Sequence, residues 1–141
     1  MCSSDLTVAA VRDELEAAGI HVEAGRLDPD ALVVRGSGDP RSLPVVREGR
    51  ATPQDEGSQA IVRAVDARPD QRILDLAAAP GGKSTGIAEA MDGSGLVVAG
   101  DRYVGRTRLV RDAARRLGLD DIVTYVADGR DRKSTRLNSS H

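Results

Sequence analysis

The stretch of sequence that decides the fold is Leu74-Asp75-Leu76-Ala77-Ala78-Ala79-Pro80-Gly81-Gly82-Lys83-Ser84. Its first part, from Ile73 to Leu76, favours a buried strand. Residues 77–82 carry little side-chain bulk, so a ligand can approach the backbone closely. Apolar residues then recur at helical spacing, and the first amides of the helix that they predict would face the ligand. The stretch therefore predicts a strand, a ligand-binding loop and a helix.

Two later apolar runs also lead to an acid. Residues 96–101 end at Asp101, and residues 122–128 end at Asp128. Ligands of open α/β sheets bind at the carboxyl ends of the strands, and an acid after the second strand commonly accepts hydrogen bonds from ribose hydroxyls. Asp101 is therefore predicted to bind a ribose. Each acid taken alone could instead be a turn or helix-capping residue, and that alternative stays open.

These residues together resemble the Sun-type (NOL/NOP/Sun) RNA cytosine-5 methyltransferases, and the bacterial 16S rRNA members most of all. The resemblance lies in residues 75–83, in Gln54-Asp55-Glu56-Gly57-Ser58-Gln59 and in the two later acids. The family often has Cys where this chain has Ala77. The implied fold class is α/β: the N-terminal half of a Rossmann-like class I S-adenosylmethionine-dependent methyltransferase domain, preceded by part of a small α+β appendage.

The resemblance also implies a cofactor and a partner. The cofactor is S-adenosyl-L-methionine, and the partner is RNA, expected to be small-subunit ribosomal RNA, with transfer RNA as an alternative. Asp128 would bind the adenine amino group. The implied cofactor-binding residues are Asp75, Ala77, Ala78, Ala79, Pro80, Gly81, Gly82, Lys83, Asp101 and Asp128.

The segment before this domain allows two interpretations. Gln54 and Ser58 lie four residues apart, so both could face the cofactor from one side of a helix. Helix capping by Thr52 or Asp55 is the alternative.

The implied reaction needs a thiolate. Carbon 5 of cytosine is a poor nucleophile, so a thiolate must add at carbon 6 before the methyl group is transferred. The family supplies cysteines in a Pro-Cys and a Thr-Cys motif, but this chain has neither, and its single cysteine is Cys2. We therefore expect the parent protein to be an enzyme and this fragment to be inactive, without a catalytic residue of its own.

Both ends of the chain resemble translated sequencing adapters. The expected organisation is an adapter-encoded leader over residues 1–6, a partial RNA-binding appendage over 7–52, a truncated cofactor-binding domain over 53–130 and an adapter-encoded tail over 131–141. A genuine polar, disordered tail is the alternative interpretation of the last segment.

The remaining elements follow from apolar spacing. Helices are predicted over 7–18, 54–67 and 103–117, and a short strand over 31–34. The second helix is expected to turn Ile61, Val62 and Val65 inward. The third helix alternates arginines with an apolar set that includes Val104 and Leu109. Its arginines are expected to form a solvated face, with contacts to RNA phosphates as the alternative, and Arg106 matches a recurring position of the family.

Composition limits the class of protein. The chain has 141 residues, 40% of them hydrophobic, and a formal net charge of −2, which gives no general signal for nucleic-acid binding. No apolar stretch is long enough to span a membrane, and no secretion signal is visible, so a cytoplasmic location is expected. One cysteine and two histidines do not form a metal-ligand set.

Two functions from other classes stay open. The loop of a phosphate-binding NTPase needs a glycine five residues before Gly-Lys-Ser; Gly82-Lys83-Ser84 matches its end, but Ala77 occupies the first glycine position. The other alternative is a non-catalytic module that senses the cofactor or RNA.

Overall fold

The computed structural model describes residues 7–28 and 30–129. Contacts within the chain divide it into two compact units, Met1–Ala60 and Ile61–His141. Residues 1–6, which include Cys2, and residues 131–141 lie outside the described residues, and so do the expectations for these two segments.

The first unit is a small α+β structure. It contains α1 (Val8–Ala17), β1 (His21–Ala24), β2 (Leu32–Arg35), a 3₁₀ turn (Pro40–Ser42), α2 (Pro44–Arg47) and the first residues of α3 (Glu56–Val65). Helix α1 begins where the hydroxyl of Thr7 accepts a hydrogen bond from the amide of Ala10 at 3.2 Å. Strands β1 and β2 pair antiparallel, over a core of Val11, Leu15, Leu43, Val45 and Val46. The helix and β2 confirm the predictions, whereas β1 was not predicted.

The second unit is a layered α/β structure. After the end of α3 it contains β3 (Gln71–Asp75), α4 (Gly82–Ala90), β4 (Gly95–Asp101), α5 (Val104–Leu117) and β5 (Ile122–Val126). The strands form a parallel sheet in the order β3-β4-β5 within the described residues. The alternation of strands and helices confirms the predicted α/β class.

One face of this sheet carries the core of the unit. Helices α4 and α5 pack on it, and the cluster consists of Ala78, Ile87, Ala88, Met91, Val97, Ala99 and Val110. The opposite face is open: Leu74 is 57% exposed, Leu76 53% and Val123 44%. The prediction of a buried first strand is therefore wrong, because the helices among the described residues pack on one face of the sheet and leave Leu74 exposed.

Two helices differ from the predicted burial. In α3, Val62 packs against the core cluster, but Ile61 and Val65 are exposed, so their predicted inward orientation is wrong. In α5, Val104 and Leu109 are exposed although they belong to the predicted apolar set. Each helix contacts the core through a narrow stripe, Val62 in α3 and Val110 in α5, and the apolar residues beside that stripe are exposed.

Candidate functional site

The loop after β3 is tied back to its own strand by Asp75. One carboxylate oxygen accepts a hydrogen bond from the amide of Ala77 at 3.1 Å. The other accepts from the hydroxyl of Ser84 at 2.8 Å, and Ser84 is fully buried in the first turn of α4. Asp75 thus joins the strand, the loop and the helix, which fixes the path of the chain between them.

The three alanines of the loop have different surroundings. Ala78 is buried, and its amide donates to the carbonyl of Gly100 at 2.8 Å. Ala77 is exposed, and Ala79 is half-buried before a cis peptide bond to Pro80. The outer part of the loop therefore offers an open surface without bulky side chains, as the sequence predicts.

The glycine pair has two separate roles. Gly81 is buried with φ +113°, and a Cβ there would lie 3.0 Å from the Cα of Val110 in α5. The packing of α5 therefore requires a residue without a side chain at this position. The sequence had suggested a different reason for this glycine, namely close approach of a ligand. Gly82 is the first residue of α4, and Lys83 is exposed beside it. The first amides of α4 lack partners within the helix, as at any helix N-terminus.

Asp101 ends β4 at the same edge of the sheet. It is only 5% exposed. One carboxylate oxygen accepts from the amide of Tyr103 at 3.2 Å, and the other accepts from Nε of Arg106 at 3.1 Å. These two bonds leave the carboxylate able to accept further hydrogen bonds, because each oxygen has two lone pairs.

Asp128 follows β5 by two residues and has an arginine partner of its own. Its carboxylate lies 3.5 Å from Nε of Arg102, and 30% of its side chain is exposed. The guanidinium of Arg102 also lies over the ring of Tyr103, 5.6 Å from the centroid. The amide of Ala127 donates to the carbonyl of Asp101 at 3.2 Å, which holds the ends of β4 and β5 together.

Tyr125 lies against the opposite face of the sheet at this edge. Its ring covers Gly100 so closely that a Cβ at that position would overlap the ring. Burial raises the pKa of the Tyr125 hydroxyl above its ordinary value, and the charge of Asp75 adds to the rise. The phenol is therefore neutral at physiological pH.

The upstream motif forms the beginning of α3. Asp55 accepts from the amide of Ser58 at 2.8 Å and from its hydroxyl at 2.7 Å. Glu56 accepts from the amides of Arg26 and Leu27. The structure thus confirms the helix-capping interpretation for Asp55 and uses the Ser58 hydroxyl in that cap.

The donors and acceptors at the carboxyl edge of the sheet suit a nucleoside-type cofactor. Carboxylates of Asp101 and Asp128 can accept hydrogen bonds from ribose hydroxyls or an amino group. The small side chains of the loop after β3 leave room for a ligand near the helix N-terminus. Among the described residues, no cluster of potential metal ligands occurs, and none of their helices is long and apolar enough to cross a membrane.

Sequence reasoning identified the acids at this edge but missed the partners that hold them. The sequence assigns no role to Arg102, and it places Arg106 on a solvated helix face, at a recurring position of the family. The available signal was their spacing, since Arg106 lies five residues after Asp101, where the first turn of α5 brings the chain back over the strand end.

A parallel β-α-β sheet with a small-residue loop after one strand and acids at the ends of the next two is part of a Rossmann-like domain, the fold of the S-adenosylmethionine-dependent methyltransferases. The family model of 16S rRNA methyltransferase RsmB/F matches residues 62–139. The chain belongs to this family.

Individual relatives agree with this assignment. The chain is 38% identical to the probable ribosomal RNA small subunit methyltransferase B of Bacillus subtilis over 130 residues. This match covers 92% of this chain and 29% of that protein. A methyltransferase homologue from Pyrococcus horikoshii, at 24% identity, shares the fold with a TM-score of 0.78 over 87% of this chain and 41% of its own. NSun6 from Pyrococcus horikoshii, in a structure with SFG, has a TM-score of 0.60 and 32% identity over 62% of this chain and 23% of its own.

The chain spans less than a third of the length of the curated relatives that it matches. These relatives are named as rRNA or tRNA methyltransferases, and they do not favour the NTPase alternative.

Proposed function

We propose that this chain is the N-terminal part of the cofactor-binding domain of an RNA cytosine-5 methyltransferase, and that it binds S-adenosyl-L-methionine at the carboxyl edge of the β3-β4-β5 sheet. The observation that carries the proposal is the convergence of Asp75, Asp101 and Asp128 at that edge, beside the loop of residues 77–83. NSun6 was determined with SFG, an analogue of S-adenosylmethionine, which supports the same ligand class.

Each part of the proposed site has a role that its surroundings support. Asp101 would accept from the ribose hydroxyls, and Asp128 from the adenine amino group. Asp75 would hold the loop, and the loop of residues 77–83 would lie along the cofactor. The bound cofactor would supply an electrophilic methyl group, whereas the residues of this chain bind and orient it.

Calorimetric titration with S-adenosylhomocysteine tests the site. Asp101→Ala should weaken binding about tenfold or more, because it removes charge-assisted hydrogen bonds to the ligand. Asp112→Ala, an exposed acid on α5, is the matched control and should bind like the wild type. Binding of ATP with magnesium in place of S-adenosylhomocysteine would instead support the NTPase alternative.

For the parent protein we propose methylation of cytosine in small-subunit ribosomal RNA in the cytoplasm. The rRNA enzyme names of several relatives support this substrate, while a tRNA enzyme among them leaves a second class to test. The coding frame of the gene is expected to continue beyond the codon for Arg130 into Pro-Cys and Thr-Cys motifs. A native frame that stops after His141 would overturn the enzyme and leave a cofactor-binding module.

A further inference from the structure

Arg106 connects the end of β4 to the loop after β3, two parts of the proposed cofactor site. Its Nε donates to Asp101 at the end of β4 at 3.1 Å. Its Nη2 donates to the carbonyl of Ala79, in the loop after β3, at 3.2 Å. One planar guanidinium therefore links the proposed ribose acid to the loop that would lie along the cofactor.

These contacts determine which part of the Asp101 carboxylate stays available. Oδ1 accepts from the amide of Tyr103, and Oδ2 accepts from Arg106. Because each oxygen has two lone pairs, one acceptor direction remains on each oxygen. A carboxylate held at both oxygens cannot turn without breaking a hydrogen bond, so its remaining acceptors point in fixed directions.

Burial distinguishes this pair from an ordinary surface ion pair. The Asp101 side chain is 7% exposed and that of Arg106 is 55% exposed. An exposed pair contributes little to stability. Here the acid is buried, so Arg106 also compensates its charge, and the second bond of the arginine to the carbonyl of Ala79 fixes the acid and the loop relative to each other.

We propose that Arg106 is a positioning residue for the cofactor ribose: it orients Asp101 toward the ribose hydroxyls and holds the Ala79 segment at a fixed distance from that carboxylate. The inference rests on the proposed function. It predicts that Arg106 affects affinity through the hydroxyl groups of the ligand, which it does not itself contact.

The test is a double-mutant cycle between the protein and the ligand. Calorimetry would compare the binding of S-adenosylhomocysteine and of its 2′,3′-dideoxyribose analogue by the wild type, Arg106→Ala and Arg106→Lys. In the wild type, loss of both hydroxyls should weaken binding on the order of tenfold or more. In Arg106→Ala, binding of the intact ligand should fall about tenfold, and removal of the hydroxyls should then cost little more.

Arg106→Lys separates orientation from charge. A lysine keeps the positive charge but cannot donate in two fixed directions from one plane, so it should restore only part of the ribose preference. Arg108→Ala, which removes an exposed arginine of the same helix, should keep both the affinity and the preference. Circular dichroism of each variant checks that α5 and the sheet remain folded.

Different results would overturn different statements. Equal losses of affinity for both ligands in Arg106→Ala would mean that Arg106 acts on the fold as a whole, and the inference would fail while cofactor binding stands. An unchanged affinity in Arg106→Ala would also reject it. Absence of binding by the folded wild type would reject the proposed function, and the inference with it.

Discussion

Two constraints require glycine at position 81: its backbone conformation and its close contact with α5. Its φ of +113° lies in a region that residues with a Cβ rarely adopt, and the added atom would lie 3.0 Å from the backbone of Val110. Gly93 also has a positive φ, +72°, but, apart from its chain neighbours, no residue lies within 4 Å of the position that a Cβ would take. The two glycines therefore separate backbone strain from steric overlap.

Replacement of Gly81 by alanine should destabilise the protein by about 3 kcal/mol, since strain and overlap with a rigid backbone act together. Gly93→Ala should cost about 1 kcal/mol, because only the conformational strain applies. Urea denaturation monitored by circular dichroism measures both changes. Equal destabilisation by the two substitutions would show that the packing of α5 against Gly81 has no energetic consequence.

The acids of the site were predictable, and their partners were not. Asp75 and Asp101 follow apolar runs whose strand character can be identified locally. The partners Ser84 and Arg106 belong to the helices that follow, and their side chains reach the acids only after those helices pack on the sheet. Partner choice therefore depends on tertiary geometry.

The observed elements agree with the sequence-based predictions where the apolar residues of an element all face the core. Helix α4 buries Ile87 and Ala88, and Met91, which follows its last residue, is buried with them. Strand β1 was missed because it is short and mostly exposed, so it lacks the alternation that predicts a strand. Its pairing with β2 accounts for its conformation.

Helix α1 is linked to the loop after α2 by an ion pair. The guanidinium of Arg50 donates to both oxygens of Glu14, at 2.7 and 2.9 Å. These hydrogen bonds hold the pKa of Glu14 below its ordinary value. A carboxyl whose pKa is lowered by folding stabilises the folded state above its unfolded pKa, and this contribution is lost as the pH falls through the folded value.

Glu14→Gln should therefore lower the unfolding midpoint at neutral pH, and its difference from the wild type should shrink as the pH falls below about 4. Chemical denaturation at several pH values measures this dependence. Glu16→Gln, at an exposed position of the same helix, is the control and should have little effect at any pH. A difference that stays constant down to strongly acidic pH would contradict the ionic explanation.

At the scale of the whole molecule, the described helices of the second unit pack on one face of its sheet. The register places Leu74 beside Val98 and Val98 beside Val123. Leu74 and Val123 are exposed, so a row of apolar side chains crosses the sheet in contact with solvent. Exposed apolar rows of this kind promote self-association.

The isolated chain is therefore expected to be poorly soluble, and the double substitution Leu74→Thr with Val123→Thr should reduce its aggregation. Threonine keeps a strand-compatible shape while it adds a hydroxyl to the exposed face. Static light scattering over a concentration series measures the change. Leu27→Thr, which alters a leucine outside the sheet that is 61% exposed, should leave aggregation nearly unchanged. If the double variant aggregates as much as the wild type, the exposed face of the sheet is not the cause of aggregation.

The sequence by itself determined the strand, loop and helix around residues 74–84, the α/β alternation and the acids at the strand ends. These features depend on apolar spacing and side-chain size among near neighbours in the chain. Only the tertiary structure decided which face of the sheet is buried, why Gly81 must be small and which arginine holds Asp101. These three features depend on how α4 and α5 pack across strands that are distant in sequence, and that packing cannot be predicted from local sequence patterns.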